Sequence, residues 1–495
     1  MAKFNQSRPT VKTTNKEGHI AYSMKEKDKL VTQVLTTFFG EPKFYGNNDH
    51  EIIETATHVA ANDPAFVQRL AVYARREFNM RSVSHILTAI LAHESSGKQY
   101  IREIVPAVAV RADDMTEILS AYLNLYGKPV PNSLKKGLND VFVRFDEYAL
   151  AKYKGGQNAL KMRDVLRICH PTPQDAAQSE MWKRCIAGEL ATPLIWETEL
   201  STNGNNKETW EKLIDSGKVG YMAMLRNLRN IINAAPDNIG KVYEILSDAD
   251  QVRKSKQLPF RFLSAYKELE NVSGATSKVF DILETAVDIS VENMPKISGK
   301  TAIVVDVSGS MTHSVSAKSK ITYAEISLLI GVMAARICEE SIFLTFDTDL
   351  YHPTVSTRGG LLAQTRGIDV NGGGTNMGLP FEYLTKEKIF ADRIIVLSDN
   401  EVNTGHGKPI QRLASVYRQA VNLNCWVHAI DLEGYGTQQF IGPRTNIIAG
   451  WSEKLLDFIK LAEEGIDTLT KHIETYDIMK HKKIQSAGDE LVMGN

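Results

Sequence analysis

Thr301-Ala302-Ile303-Val304-Val305-Asp306-Val307-Ser308-Gly309-Ser310 joins a short apolar run to a turn that carries one carboxylate and two hydroxyls. The run is rich in β-branched residues and too short for a helix, so it reads as a buried strand. Gly309 permits the tight turn that follows. Downstream, the pattern predicts a helix over 322–338, strands over 341–346 and 393–397, a helix over 411–421, a strand over 425–430 and a helix over 453–462. Apolar strands alternating with amphipathic helices make a parallel sheet covered on both faces, a doubly wound α/β arrangement. Sites in such sheets sit at the carboxyl ends of the strands, where the Asp306 turn falls.

Upstream, Asn293-Met294-Pro295-Lys296-Ile297-Ser298-Gly299 marks a linker by its proline and glycine. Before it, residues 24–288 carry apolar stripes at helical spacing. Leu30, Val31, Val34, Leu35, Phe38 and Phe39 form one; Phe66, Val67, Leu70, Ala71 and Ala74 a second; Tyr221, Met222, Leu225, Leu228, Ile231 and Ile232 a third. Consecutive helices joined by short breaks such as Asn47-Asn48-Asp49 and Gly127-Lys128-Pro129 suggest paired-helix repeats of the HEAT kind, without a sequence period. The expected fold class is therefore α plus α/β. The expected division is a polar tail over 1–20, a helical-repeat domain over 21–295, the α/β domain over 296–470 and a C-terminal tail over 471–495.

With 43% hydrophobic and 24% charged residues the chain is of ordinary globular composition. Lysine plus arginine (58) nearly cancels aspartate plus glutamate (59), so any signal for a nucleic-acid partner must be local. Cys169, Cys185, Cys338 and Cys425 form no close pair, which argues against a disulfide framework or zinc ribbon and fits a reducing cytoplasm. The amino-terminal stretch lacks the apolar core of a signal peptide, and the longest apolar run, 326–337, is too short to span a bilayer.

Asp306, Ser308 and Ser310 present hard oxygens on one turn. Gly372-Gly373-Gly374-Thr375-Asn376 adds a hydroxyl on a pliable loop, and Leu397-Ser398-Asp399-Asn400-Glu401 puts a carboxylate at a strand end. Oxygen donors with few charges suit one Mg²⁺ or Mn²⁺ and leave positions for water or a ligand. An Asp-x-Ser-x-Ser string alone is usually only a turn or helix cap. Here it follows a strand and is succeeded, in order, by Gly-Gly-Thr and a strand-terminal aspartate. This arrangement resembles the metal-ion-dependent adhesion site of von Willebrand factor A domains, over about residues 300–465. By that resemblance Asp306, Ser308, Ser310 and Thr375 bind the metal directly or through water, and Asp399 contacts it or orients a coordinated water. Asp347 and Asp349 read as solvated turn residues, and Glu401 and His406 as surface groups. No nucleophile and general base accompany the metal loop, so the site is expected to hold a ligand and not to hydrolyse one.

Over 131–170, Lys135, Lys136, Arg144, Lys152, Lys154, Lys161, Arg163 and Arg167 oppose Asp140, Asp146, Glu147 and Asp164, a local charge of 8 − 4 = +4. Phosphate binding would use such an excess, and Tyr153 and His170 add rings that stack on bases. A solvated helix face carries the same charges. Arg253, Lys254, Lys256 and Arg261 around Pro259-Phe260 share this ambiguity, as do Arg75, Arg76 and Arg81.

Lys152-Tyr153-Lys154 followed by Leu166-Arg167-Ile168-Cys169-His170-Pro171 resembles the signature stretch of the TROVE domain of Ro proteins. In that family a ring of HEAT-like repeats is closed by an A domain, the domain order read above. The resemblance implies a non-enzymatic, RNA-binding ribonucleoprotein component. The single-stranded 3′ end of a misfolded RNA would enter the ring, and a small Y-type RNA would bind its outside. Lys152, Lys154 and His170 then become outer contacts, and Arg253, Lys254 and Lys256 cavity-facing ones. An exoribonuclease such as polynucleotide phosphorylase is a further partner that the family raises. A ring closed within one chain needs no partner subunit. Two other readings stay open: a module whose metal grips an acidic side chain of a partner protein, and a metal-dependent hydrolase, which lacks a second carboxylate, base and nucleophile at the metal loop.

Overall fold

The computed structural model describes residues 11–15, 17–36, 49–152, 160–191, 195–292, 294, 296–315, 319–403, 409–434, 437–450, 454–464 and 469–481. The chain forms two compact units, one from Met1–Gly40 with Val291–His472, the other from Glu41–Ser290 with Ile473–Asn495. The strands are β1 (Lys12–Thr14), β2 (Ile20–Ser23), β3 (Ile297–Asp306), β4 (Cys338–Phe346), β5 (Leu350–Tyr351), β6 (Arg393–Ser398), β7 (Trp426–Asp431), β8 (Thr437–Gln438) and β9 (Thr445–Ala449).

In the first unit a six-stranded sheet runs β5-β4-β3-β6-β7-β9, parallel except for the β4–β5 hairpin. Both faces are covered, as the unbroken apolar run of β3 requires. On one face Ala302, Val304, Ile394 and Val396 join Phe381, Leu384 and Tyr417 in the core. On the other lies the helix Tyr323–Ile337, buried on nearly every side. Thr322 and Glu325 start that helix with a reciprocal capping box. Gly331 lets it lie close to the sheet, since a Cβ there would stand 2.9 Å from Val305 Cγ2. The expected doubly wound domain is thus found, with element ends differing by at most a few residues.

This division does not follow the linear one expected from the sequence. Residues 11–15 and 17–36, expected as a tail and the start of the helical domain, pack on the α/β unit. β1 pairs with β2, and β2 pairs with β8, making a small antiparallel sheet. The helix Glu26–Thr36 follows, and its Thr36 hydroxyl donates to the Glu433 carbonyl. The β2 and β8 partners are more than four hundred residues apart, so no local pattern announces them.

In the second unit, helices from Asp49–Asn62 to Ser277–Val291 pack on their near neighbours. Phe66, Val67, Leu70, Ala71 and Ala74 are all buried, as their spacing predicts. Gly137 permits the helix Asn132–Phe142 to approach Ile101–Val108, its Cβ position lying 3.0 Å from Val105 Cγ2. The unit also takes in residues 473–481, where the Tyr476 hydroxyl donates to Glu77 Oε1 at 2.6 Å.

Candidate metal centre and basic surface

β3 delivers Asp306 to the carboxyl edge of the sheet, fully buried. Its Oδ1 accepts the Ser308 N–H at 2.9 Å and its Oδ2 accepts the Ser398 hydroxyl at 2.6 Å. The Ser308 and Ser310 hydroxyls stand 3.3 Å apart. Two backbone bonds stitch the glycine loop to this turn, Gly309 N–H to Gly373 O at 2.8 Å and Gly372 N–H to Val307 O at 3.1 Å. Thr375, 1% exposed, is held by its N–H donating to Asn403 Oδ1 at 2.7 Å. Asp399 is fully buried; its Oδ1 accepts the Glu401 N–H at 2.9 Å, and its Oδ2 has no hydrogen-bond partner. The nearby Ser310 side chain opposes the rise that burial causes in the Asp399 carboxyl. Asp306, Ser308, Ser310, Thr375 and Asp399 therefore meet at one edge.

Burial, and then the charge of Asp399, push the Asp306 carboxyl up to about 7; burial raises Asp399 as well. Two desolvated carboxylates disfavour their own ionisation unless a cation joins them. Among the described residues no three histidine, cysteine, aspartate or glutamate side chains converge as a metal cluster. The donor set is two carboxylates with three hydroxyls, and with an orphaned, buried Asp399 oxygen it fits a hard divalent ion.

Residues outside the expected set build this site. Asp347 is 2% exposed, so the solvated-turn reading is corrected for it, while Asp349 is exposed. Asp347 Oδ1 accepts from the Asp349 N–H and the Tyr351 hydroxyl, and its Oδ2 accepts the Gly373 N–H at 3.2 Å. It thereby fixes the loop that carries Thr375. Glu401, expected at the surface, is 3% exposed, and its Oε2 accepts the Glu17 N–H at 3.2 Å. The Asn15 amide donates to the Val402 carbonyl at 2.8 Å, so the β1–β2 hairpin braces the segment after Asp399. His406 lies outside the described residues.

The basic candidates fall on several elements of the helical unit. Lys135 and Lys136 lie on Asn132–Phe142, half-buried and exposed respectively; Arg163 and Arg167 lie on Met162–Cys169. These two helices pack together, and the Asn139 amide donates to the Cys169 carbonyl at 3.0 Å. His170 is exposed and ends the second helix in left-handed backbone at φ 50°. Lys152 stands 5.9 Å from the Tyr148 ring centroid, and Lys154 and Tyr153 lie outside the described residues. Arg253, Lys254 and Lys256 are exposed on and after the helix Ala249–Ser255, with Arg253 near Asp250.

Arg75, Arg76 and Arg81 are structural. Arg75 and Arg81 clasp the fully buried Asp114, which also accepts the Val110 and Arg111 N–H groups. Against the burial that would raise it, Arg75, His85 and Arg81 hold the Asp114 carboxyl well below the usual carboxylate range. The Arg76 Nε donates to the Ala107 carbonyl at 2.6 Å.

The TROVE domain family model matches residues 21–188 and 174–291, and the Ro60 vWA domain model matches 300–430. The RNA-binding protein RO60 of Deinococcus radiodurans is 24% identical over 325 residues, covering 56% of this chain and 61% of that protein. The RNA-binding protein RO60 of Caenorhabditis elegans is 25% identical over 250 residues, covering 47% of this chain and 37% of that protein. Telomerase protein component 1 of Rattus norvegicus is 25% identical over 306 residues, 45% of this chain but only 12% of that much longer protein. The crystal structure of the Deinococcus radiodurans Ro (RSR) protein superposes with a TM-score of 0.65 at 17% identity, covering 88% of this chain and 99% of that one.

Proposed function

This chain belongs to the Ro family, with a TROVE domain followed by a Ro60-type von Willebrand factor A domain, and from that premise we propose that it is an RNA-binding component of a ribonucleoprotein. The observation that carries this reading is the exposure of Lys136, Arg167 and His170 on two packed helices inside the TROVE-matched segment, with Lys135 half-buried beside them. Two relatives named RNA-binding protein RO60 support it. Guanidinium and ammonium groups there would neutralise phosphates, giving affinity without base selection. The proposed ligands are a small Y-type noncoding RNA on the outside and the single-stranded 3′ end of a misfolded RNA taken by Arg253, Lys254 and Lys256. An exoribonuclease such as polynucleotide phosphorylase is the proposed protein partner, and the cytoplasm the proposed location. Among the described residues no helix is long and apolar enough to cross a membrane.

In the α/β unit we assign one Mg²⁺ or Mn²⁺ to Asp306, Ser308, Ser310, Thr375 and Asp399. When bound, the ion supplies a Lewis-acidic point for an anionic oxygen. The chain's part is to hold the donors: Ser398 orients Asp306, Asn403 orients Thr375, and Asp347 fixes the glycine loop. A second function follows from the hydroxyl-rich donor set, which leaves coordination positions for the acidic side chain of a partner protein. Crosslinking the native chain in its own cells and sequencing the bound RNA tests the first reading. Recovery of no RNA above a control that lacks the basic residues would overturn it.

A further inference from the structure

A third fully buried carboxylate stands at the same sheet edge. Asp431 ends β7, directly opposite Ser398 of β6, and the Ser398 hydroxyl donates to Asp306. Paired residues of parallel strands share a face, so Asp306, Ser398 and Asp431 form one row across three strands. Asp431 Oδ1 accepts the N–H groups of Glu433 and Gly434 at 3.0 and 2.8 Å. Its Oδ2 has no hydrogen-bond partner, and the residue is 0% exposed. Asp399 beside it also leaves Oδ2 unpartnered. Asn400, next to Asp399 in sequence, is 2% exposed in left-handed backbone at φ 64°; its Nδ2 makes no hydrogen bond of ordinary length but stands toward Asp431, whose carboxyl it lowers. Burial pushes the Asp431 carboxyl up to about 7 against its two N–H donors, and the Asp399 charge adds to the rise. The leading influences on all three aspartates are burial, each other and hydrogen-bond donors, not a lysine or arginine.

One divalent ion at Asp306 and Asp399 balances two of these three charges. A buried carboxylate oxygen with no counter-charge and no hydrogen bond of ordinary length is strongly unfavourable, and the remaining one is Asp431 Oδ2, toward which stands the neutral Asn400 amide. We propose that Asp431, the Asp399 carboxylate and the Asn400 side-chain amide form a second position for a hard divalent cation, next to the first and sharing Asp399. The proposal rests on the metal assignment above. Asn400 serves as a ligand through its amide oxygen, an orientation exchanged with the nitrogen by a flip of the side chain. Burial, and then the charges of Glu433, Asp399 and Asp431, raise the Tyr323 hydroxyl, so this side chain shares their surroundings.

Counting bound ions tests this directly. The full-length chain, stripped with chelator and titrated with Mn²⁺ while free Mn²⁺ is followed by electron paramagnetic resonance, is expected to bind two ions. Asp431→Asn should bind one, because the asparagine oxygen still accepts the Glu433 and Gly434 N–H groups but carries no charge. Retention of the Mn²⁺-induced melting shift shows that this variant is folded and keeps the first ion. As a second readout, terbium emission excited through Tyr323 should fall by at least half in Asp431→Asn. One ion in the unaltered chain, or two in Asp431→Asn, overturns the second position, and in the first case a proton holds Asp431. No bound ion at all overturns the metal assignment together with this one.

Discussion

Asp306 and Asp114 are both fully buried carboxylates, and their surroundings drive them in opposite directions. Asp114 meets two guanidinium groups, so its ionised form is favoured; Asp306 is buried beside Asp399, so its ionised form is disfavoured. Asp114→Ala leaves Arg75 and Arg81 with their partner gone, and should destabilise the helical unit by about 3–5 kcal/mol in denaturant unfolding. A cost under 1 kcal/mol would deny the clasp its structural role. For Asp306 the sign is reversed. A carboxyl whose folded value is raised to about 7, from an ordinary value near 3.8, contributes stability below that ordinary value and loses it as pH rises through 7. In chelator the melting temperature of the α/β unit should therefore fall between about pH 5 and 8, and Mg²⁺ or Mn²⁺ should restore it at the upper end. Asp306→Ala should reduce the pH trend, with Asp399 and Asp431 supplying what remains, and should diminish the metal shift. Melting that ignores both pH and metal would remove the ion from this site. The Asp-x-Ser-x-Ser turn was legible in the sequence because its donors share five consecutive residues. Asp347 and Asn403 were not, because they act on the glycine loop and Thr375 from 26 and 28 residues away, through backbone N–H groups that carry no sequence signature.

Elements were legible where one period ruled them. The run Ala302–Val305 of β3 is apolar throughout and the helix Tyr323–Ile337 nearly so between Ile326 and Ala335, and both stretches lie buried as the doubly wound arrangement demands. Close packing at Gly331 can be probed directly. Gly331→Leu would drive a side chain into Val305 and Phe343, and overpacking of this kind costs about 1–3 kcal/mol, read as a lower unfolding midpoint of the α/β unit. An unchanged midpoint would mean that the helix slides away freely from the sheet. β1, β2 and β8 stayed hidden for a physical reason. They are two to four residues long, too short for a periodic pattern, and the β1–β2 hairpin is completed by β8 from the other end of the sequence. Their position gives the hairpin a definite duty, since Asn15 and Glu17 bond to the segment after Asp399. Asn15→Ala removes the donor to the buried Val402 carbonyl and should weaken metal binding several-fold in calorimetric titration while Asp306 and Thr375 remain. Unaltered affinity in a folded variant would confine the hairpin to a packing role.

For the chain as a whole, the question is which unit would carry the proposed RNA affinity and by what physics. The α/β unit presents buried carboxylates that repel phosphate, whereas the helical unit presents Lys135, Lys136, Arg167 and His170 from two packed helices. Net charge of −1 means that attraction must come from such a local set and not from the chain's overall field. Replacing Lys135, Lys136 and Arg167 together by glutamine in the full-length chain should weaken binding to a structured small RNA whatever its sequence. It should also flatten the dependence of log K on log salt by about 0.7 to 0.9 for each phosphate that is no longer neutralised. A change in base preference at constant salt slope would instead point to readout of bases. Glutamine at Arg253, Lys254 and Lys256 should chiefly weaken binding of a single-stranded 3′ tail, if those residues and the first set serve different RNAs. Equal losses for both RNAs in both triple variants would merge the two surfaces into one. Full-length Asp306→Ala separates the units: its affinity for the structured RNA should match the parent within about twofold, or about 0.4 kcal/mol, with and without Mg²⁺. A tenfold loss in that folded variant would show that the metal edge takes part in RNA binding, and would turn the second reading of the site, a grip on an anionic partner, into a grip on phosphate.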